Sequence, residues 1–95
     1  MSHLPTKAVQ EVFDRYFNLK KPLKSKWRIV TMLDKQDGRS YLCFYHYHHL
    51  LLMYDLKKNV VRYQWWEKPT DKRGLDSALL ILDQRKQQIE MRNAE

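Results

Sequence analysis

Three histidines and one cysteine lie close together in the sequence and are the residues best suited to chemistry. His46 and His48 are two positions apart, so on a β-strand their imidazoles would project from one face, a geometry that suits a shared zinc ion. A zinc site needs at least a third ligand. Cys43 and His49 would lie on the opposite face, and His3 is near the terminus. We therefore predict no metal site and expect these histidines in a polar, aromatic sheet face.

Cys43 is the one candidate for a thiol nucleophile. Activating a thiol requires a base on the same face and within hydrogen-bond reach. Cys43 lies between Leu42 and Phe44 in an apolar run, where an unpaired cysteine is usually a small buried hydrophobe. A single cysteine also excludes an intrachain disulfide and suits a reducing compartment, so we expect a cytoplasmic protein.

Positive charge is the strongest binding signal. The chain has 18 Lys and Arg against 11 Asp and Glu, which gives a formal net charge of +7. The basic residues cluster in connecting segments beside Trp27, Trp65 and Trp66, where phosphates would release counterions and bases would stack on the rings. We predict that nucleic acid is contacted, mainly through its phosphate backbone, by ten residues: Lys20, Lys21, Lys24, Lys26, Arg28, Lys57, Lys58, Arg62, Lys72 and Arg73.

A helix is predicted at the start of the chain, from about Pro5 to Lys20. Its apolar residues recur every three or four positions, which is the period of a helix with one buried face. Thr6 is a candidate N-cap. Pro22 ends the segment, because the residue before a proline resists the helical conformation.

A second helix is predicted to begin at Asp71 or Leu75 and to run to near Arg92. Most of its apolar residues share one face. Leu80 lies almost opposite that face, with Ile81 beside it. Since a small domain gains by burying a second apolar patch against a copy of itself, we predict a twofold homodimer through these two residues.

Between the helices the apolar residues alternate, which is the period of a strand. Residues 27–33 form the first predicted strand, and Asp37-Gly38 predicts a turn after it. The run from Ser40 to Tyr54 has no glycine or proline and is long enough for two strands or one bent strand. We take the bent central strand as the simpler prediction. It would pair first with residues 27–33 and then, through a polar turn, with Val60–Trp66.

The last predicted strand is expected to be half-buried, because Val61, Tyr63 and Trp65 alternate with Arg62 and Gln64. Together the elements predict one small α+β domain over residues 1–95. It has a three-stranded antiparallel meander between two helices (αβββα), with both helices on one face of the sheet. The other face, with its tyrosines and histidines, would be solvated or used for binding.

This order of elements also occurs in a nuclease architecture and in double-stranded RNA-binding domains, but their motifs are not matched. The nuclease chemistry needs a Glu-x-Lys on the strand after an acidic one, whereas Glu67 and Lys68 are adjacent and Asp55 suits a turn. The RNA-binding domains have a lysine cluster at the second helix, which Lys72 and Arg73 reproduce only in part. Two glycines cannot form a phosphate-binding loop. We predict no enzymatic activity and no cofactor.

Hydropathy argues against a membrane protein. The longest apolar run, Leu50 to Tyr54, is far shorter than the roughly 20 residues that span a bilayer. The segment Met1 to Leu19 carries charges throughout and so lacks the apolar core of a signal peptide. We expect no contact with membranes.

Three hypotheses about function remain open from the sequence. The first is a small, basic, non-enzymatic protein that binds nucleic acid. The alternative is a small regulatory or inhibitory protein, of the kind found in phages and mobile elements, that binds a larger acidic protein. The third is a metal-dependent hydrolase that uses His46 and His48.

Overall fold

The computed structural model describes residues 5–22 and 24–94, with side chains described up to residue 89. The four strands form one antiparallel sheet in the order β1-β2-β3-β4. The predicted α+β class is confirmed, and the predicted count of three strands is wrong. The elements are α1 (Lys7–Phe17), β1 (Trp27–Asp34), β2 (Arg39–His46), β3 (His49–Asp55), β4 (Val60–Gln64) and α2 (Pro69–Ala94).

The predicted bent central strand is a hairpin of two strands. β2 ends at His46 and β3 begins at His49, so that Tyr47 and His48 form a two-residue loop. Tyr47 has φ 54°, the left-handed conformation that short hairpin loops require. Its N–H donates to the carbonyl of Lys26 at 2.7 Å. The loop contains neither glycine nor asparagine, so no typical turn residue marks it.

The other sequence signals for turns and helix ends agree better with the structure. Asp37-Gly38 lies in the β1–β2 turn, where Gly38 has φ 66°. α1 ends before its predicted limit, and Leu19 follows it with φ 56°. α2 begins at Pro69, ahead of the predicted start, with the fixed φ of proline suited to a first helical position.

β4 is exposed along its whole length. A register shift in its pairing with β3 leaves Arg62 as an extra residue, so Val61 pairs with Tyr54 and Tyr63 pairs with Met53. Because neighbouring residues of β3 face opposite ways, Val61 and Tyr63 lie on opposite faces of the sheet. The predicted half-buried strand with both residues on one face is therefore wrong.

The core lies between the helices and one face of the sheet. α1 packs mainly over β1, and α2 packs over β2 and β3. The ring centre of Phe13 in α1 is 5.4 Å from that of Phe44 in β2. Burial of apolar surface in this layer is the main stabilising contribution. The buried cluster comprises Val9, Phe13, Trp27, Leu42, Phe44, Leu51, Leu52, Tyr54, Leu75, Ala78 and Leu82.

The opposite face of the sheet, which we call the open sheet face, is covered by neither helix. The strand register places the charged Arg28, Asp34, Arg39 and Asp55 towards its two ends and, between them, Val30, Met32, Tyr41, Cys43, Tyr45, Met53 and Tyr63. Tyr41 and Cys43 are buried among their neighbours, whereas Val30, Met32 and Tyr63 are exposed. The face is therefore apolar and aromatic in its centre.

α2 approaches the sheet most closely at Gly74. A Cβ atom on Gly74 would lie 2.2 Å from Cζ3 of Trp27. The indole cannot easily move away, because it stacks on Phe44 at 5.7 Å and on His46 at 4.0 Å between ring centres. A glycine is required here because the helix backbone itself lies against the indole.

Replacing Gly74 by alanine should lower the free energy of unfolding by about 1–3 kcal/mol, the usual cost of overpacking a core. This loss is expected although alanine is the better helix former by about 1 kcal/mol. Urea denaturation measures the change, and the exposed Gln84→Ala serves as control. In a double-mutant cycle with Trp27→Phe, the effect should shrink because the smaller ring leaves room. A stabilised Gly74→Ala protein would contradict this packing.

Candidate functional site

Four parts of the chain meet at one end of the sheet, which we call the hairpin end. They are the β2–β3 loop, the start of β1, the segment after β4 and the first turns of α2. The N–H of Trp65 donates to the carbonyl of Leu51 at 2.9 Å, and the rings of Trp65 and His49 are 5.4 Å apart. The hairpin end comprises Lys26, Arg28, Tyr47, His48, His49, Trp65, Trp66, Glu67, Lys68, Lys72 and Arg73.

A buried hydrogen bond joins α2 to the hairpin. His46 Nδ1 lies 2.6 Å from Asp71 Oδ1, and both residues are buried. Asp71 Oδ2 accepts the backbone N–H of Lys68 at 3.1 Å, just ahead of the helix. Burial opposes ionisation of Asp71, but the hydrogen bonds from His46 and the backbone hold the pKa of its carboxyl below the usual value. An ionised carboxylate has no proton to give, so the Nδ1–H of His46 is the donor.

The structure does not bring the histidines together as a pair of ligands. His46 is on the helix-covered face, whereas His48 is in the exposed hairpin loop, so the expectation that both project from one strand face is wrong. His3 lies outside the described residues. Within residues 5–22 and 24–94, no group of three His, Cys, Asp or Glu residues is arranged to hold a metal.

Cys43 is buried on the open sheet face, between Val30 and Met53 of the neighbouring strands. Burial raises the pKa of its thiol, which disfavours the reactive thiolate. His46 lies on the opposite face of the sheet, next to Phe44, and is engaged with Asp71. The arrangement offers Cys43 no activation by His46.

The ten basic residues predicted to bind nucleic acid fall into separate groups. Lys26, Arg28, Lys72 and Arg73 lie at the hairpin end, where Lys68 joins them. The β3–β4 turn, which carries Lys57 and Lys58, is at the other end of the sheet. A strand of seven residues separates the two ends, about 20 Å. One contiguous patch of all ten residues is excluded.

Arg62 is exposed on β4, and its side chain forms an ion pair with a buried carboxylate. Its Nη2 is 3.6 Å from Oδ2 of the fully buried Asp55. Asp55 Oδ1 accepts the backbone N–H groups of Lys58 and Lys57 in the turn. The hydrogen bond from Lys58 is the main reason that the pKa of Asp55 is lowered, against the opposing effect of burial. Arg62 therefore supports the β3–β4 turn.

Lys20, Lys21 and Lys24 are exposed on the segment that returns from the end of α1 to the start of β1. A groove of about 440 Å³ lies between this segment and α1. Arg15 of α1 fixes the segment by donating from Nη1 to the carbonyl of Lys21 at 3.0 Å. Leu23, in the same segment, lies outside the described residues. The segment carries its positive charge along α1 towards the hairpin end.

The tryptophans near these basic residues differ in their exposure. Trp27 belongs to the buried core, so the expectation that it adjoins a ligand is wrong. Trp65 and Trp66 are exposed, at 36% and 46%, and Tyr47 in the hairpin loop is also exposed. Nζ of Lys72 is 5.8 Å from the ring centre of Trp66. Exposed aromatic rings and exposed cations thus share one end of the molecule.

Acidic groups at the hairpin end are few, and most are engaged. The carboxylate of Asp71 is buried in hydrogen bonds. Asp76 holds Lys72 in an exposed ion pair at 2.9 Å, which weakens the field of that lysine at the surface. Glu67 is exposed. Lys26, Arg28, Lys68 and Arg73 have no ion pair among the residues that the structure describes, so the hairpin end carries positive charge.

Replacing Asp71 by asparagine should lower the free energy of unfolding by about 2–3 kcal/mol at pH 7, because His46 and the start of α2 lose a charged acceptor. The folded-state pKa of Asp71 is lowered. Its carboxylate therefore stabilises the fold above the unfolded-state pKa, and this contribution is lost as pH falls through the folded-state pKa.

Urea denaturation between pH 7 and pH 3 tests this. The difference in unfolding free energy between the wild type and Asp71→Asn should be largest above about pH 4 and should shrink below it. Asp76→Asn removes an exposed carboxylate from the same helix and should change stability by about 0.5 kcal/mol or less. Equal losses in the two variants would contradict the role assigned to Asp71.

Comparison with known proteins gives no relative from which function can be transferred. No family model matches the sequence, no similar curated protein was found, and no solved structure is similar. In the described part of the chain, neither helix combines the length and apolar character needed to cross a membrane.

Proposed function

We propose that the protein binds nucleic acid at the hairpin end, without catalysis and mainly through the phosphate backbone. The observation that carries this proposal is the joint exposure of cations and aromatic rings there. Lys26, Lys68 and Arg73 are exposed at this end of the sheet, and Trp65 and Trp66 are exposed at the same end. Phosphates on the cations would release condensed counterions, and bases would stack on the exposed indoles.

The segment between α1 and β1 adds to the positive charge near the hairpin end. Lys20, Lys21 and Lys24 are exposed on this segment, which runs along α1 to the start of β1. Lysine contacts to phosphate carry no information about base sequence. We therefore infer binding that tolerates any sequence and that weakens steeply with salt.

Two triple variants with the same change in charge test this proposal. Lys26→Gln, Lys68→Gln and Arg73→Gln alter the hairpin end, and Lys35→Gln, Lys57→Gln and Lys58→Gln alter the other end. Fluorescence anisotropy with duplex DNA should show weaker binding by the first variant alone. The slope of log affinity against log salt should fall by up to about 2.7, which is about 0.9 for each lost contact.

Three results would contradict the proposal. The first is no DNA binding by the wild type at about 50 mM salt, where phosphate contacts are strong. The second is an equal loss in both triple variants, which would indicate attraction by net charge alone. The third is binding of a polyglutamate peptide of matched charge as tightly as DNA and through the same residues. That outcome would favour an acidic protein as the partner.

Self-association through α2 remains a further part of this proposal. Leu80 is half-buried, whereas Ile81 packs against the core, so the patch is smaller than the sequence suggests. We expect sedimentation equilibrium to detect a dimer at about 100 μM, a range in which weak dimers form. Leu80→Glu should shift the protein to the monomer. A monomer mass for the wild type at this concentration would contradict the dimer.

A further inference from the structure

One row of side chains on the open sheet face crosses all four strands. The register aligns Val30 with Cys43, Cys43 with Met53, and Met53 with Tyr63. Val30 is 44% exposed and Tyr63 is 43% exposed, whereas Cys43 is buried at the centre. The row contains no charged residue. A face that only met water would be expected to carry polar side chains on alternate strand positions.

The face is continuous with the hairpin end through Arg28. Arg28 and Tyr45 are direct partners on β1 and β2, and the guanidinium carbon of Arg28 is 4.7 Å from the ring centre of Tyr45. Arg28 follows Lys26 and the buried Trp27 at the start of β1. The positive charge of the hairpin end therefore reaches the margin of the aromatic surface.

We propose that the open sheet face binds unpaired bases, so that the ligand is single-stranded nucleic acid. This inference rests on the proposed function and specifies its ligand. Tyr45 and Tyr63 lie two strands apart and two residue positions apart along the strands, about 12 Å in all, and Met53 on the strand between them is the partner of Tyr63. Bases would lie on the two tyrosine rings and on the guanidinium of Arg28, while the backbone follows the cations at the hairpin end.

The width of the sheet argues against a duplex on this face. The major groove of B-DNA is about 12 Å wide and admits a helix or a two-stranded ribbon. Four strands at about 4.8 Å spacing already span about 14 Å between the outer backbones, before side chains are added. A duplex would keep its bases out of reach of the tyrosines. Single strands can turn their bases onto a flat surface.

Charge argues against a second copy of the chain as the occupant. Two copies packed through this face would each bring Arg28 to the interface, and Arg28 has no ion pair among the described residues. Like charges at an interface oppose association, whereas a polyanion is attracted to the same margin. Charge complementarity therefore favours the nucleic acid.

Tyr63 is the residue best suited to a test, because it is exposed on the edge strand and lies far from the core. We would measure anisotropy with labelled oligothymidylate of 20 nucleotides and with a duplex of the same length. The wild type should bind the single strand more tightly. Tyr63→Leu should weaken that binding by about 5- to 150-fold, the loss typical of one stacking ring. Tyr63→Phe should bind like the wild type, and the duplex affinity of all three proteins should agree.

The possible results separate this inference from the proposed function. If the wild type binds neither oligonucleotide, both fail. If single strand and duplex bind equally, and Tyr63→Leu has no effect while the triple variant of Lys26, Lys68 and Arg73 binds weakly, the function stands and the inference is wrong. A dimer that Val30→Lys dissociates would show a second copy on this face and would also overturn the inference.

Discussion

The contact between α2 and the hairpin is the constraint on which the rest of the molecule depends. Asp71 ties the first turn of the helix to His46, and Gly74 lets the helix backbone reach the indole of Trp27. That indole in turn stacks on His46 and Phe44. The exposed tryptophans and cations gather at one end because the buried layer beneath them fixes β1, β2 and α2 together.

The sequence was sufficient to predict the features that depend on local periodicity. Alternation identified β1, helical spacing identified both helices, and Asp37-Gly38 identified the first turn. The β2–β3 turn was missed because Tyr47 and His48 are not typical turn residues, and the left-handed Tyr47 is held by a hydrogen bond from its N–H to Lys26, twenty-one positions earlier. A contact between residues so far apart in the chain cannot be predicted from the residues next to the turn.

In the candidate site, too, local features could be predicted from the sequence, whereas those that depend on tertiary contacts could not. The clustering of basic residues along the chain was visible in the sequence. Which end of the sheet each cluster occupies depends on the number of strands, and the unpredicted β2–β3 turn raised that number from three to four. The burial of individual side chains could not be predicted from neighbouring residues in the sequence either. His46 and Trp27 were expected at the surface, where they could contact a ligand, but both are buried. His46 is hydrogen-bonded to Asp71 and Trp27 packs against Gly74, and both partners are distant in the sequence. The aromatic open sheet face became visible only once the register was known.

The extra residue in β4 has a consequence for the behaviour of the protein at high concentration. An edge strand presents a row of backbone groups that another chain can extend into a larger sheet. The inserted Arg62 interrupts the regular spacing of those groups and places at the edge a guanidinium that forms a 3.6 Å ion pair with Asp55. Bulges and charges at such edges discourage strand-to-strand aggregation. The same irregularity that places Tyr63 on the open sheet face thus also opposes the pairing of this exposed edge strand with a strand of another chain.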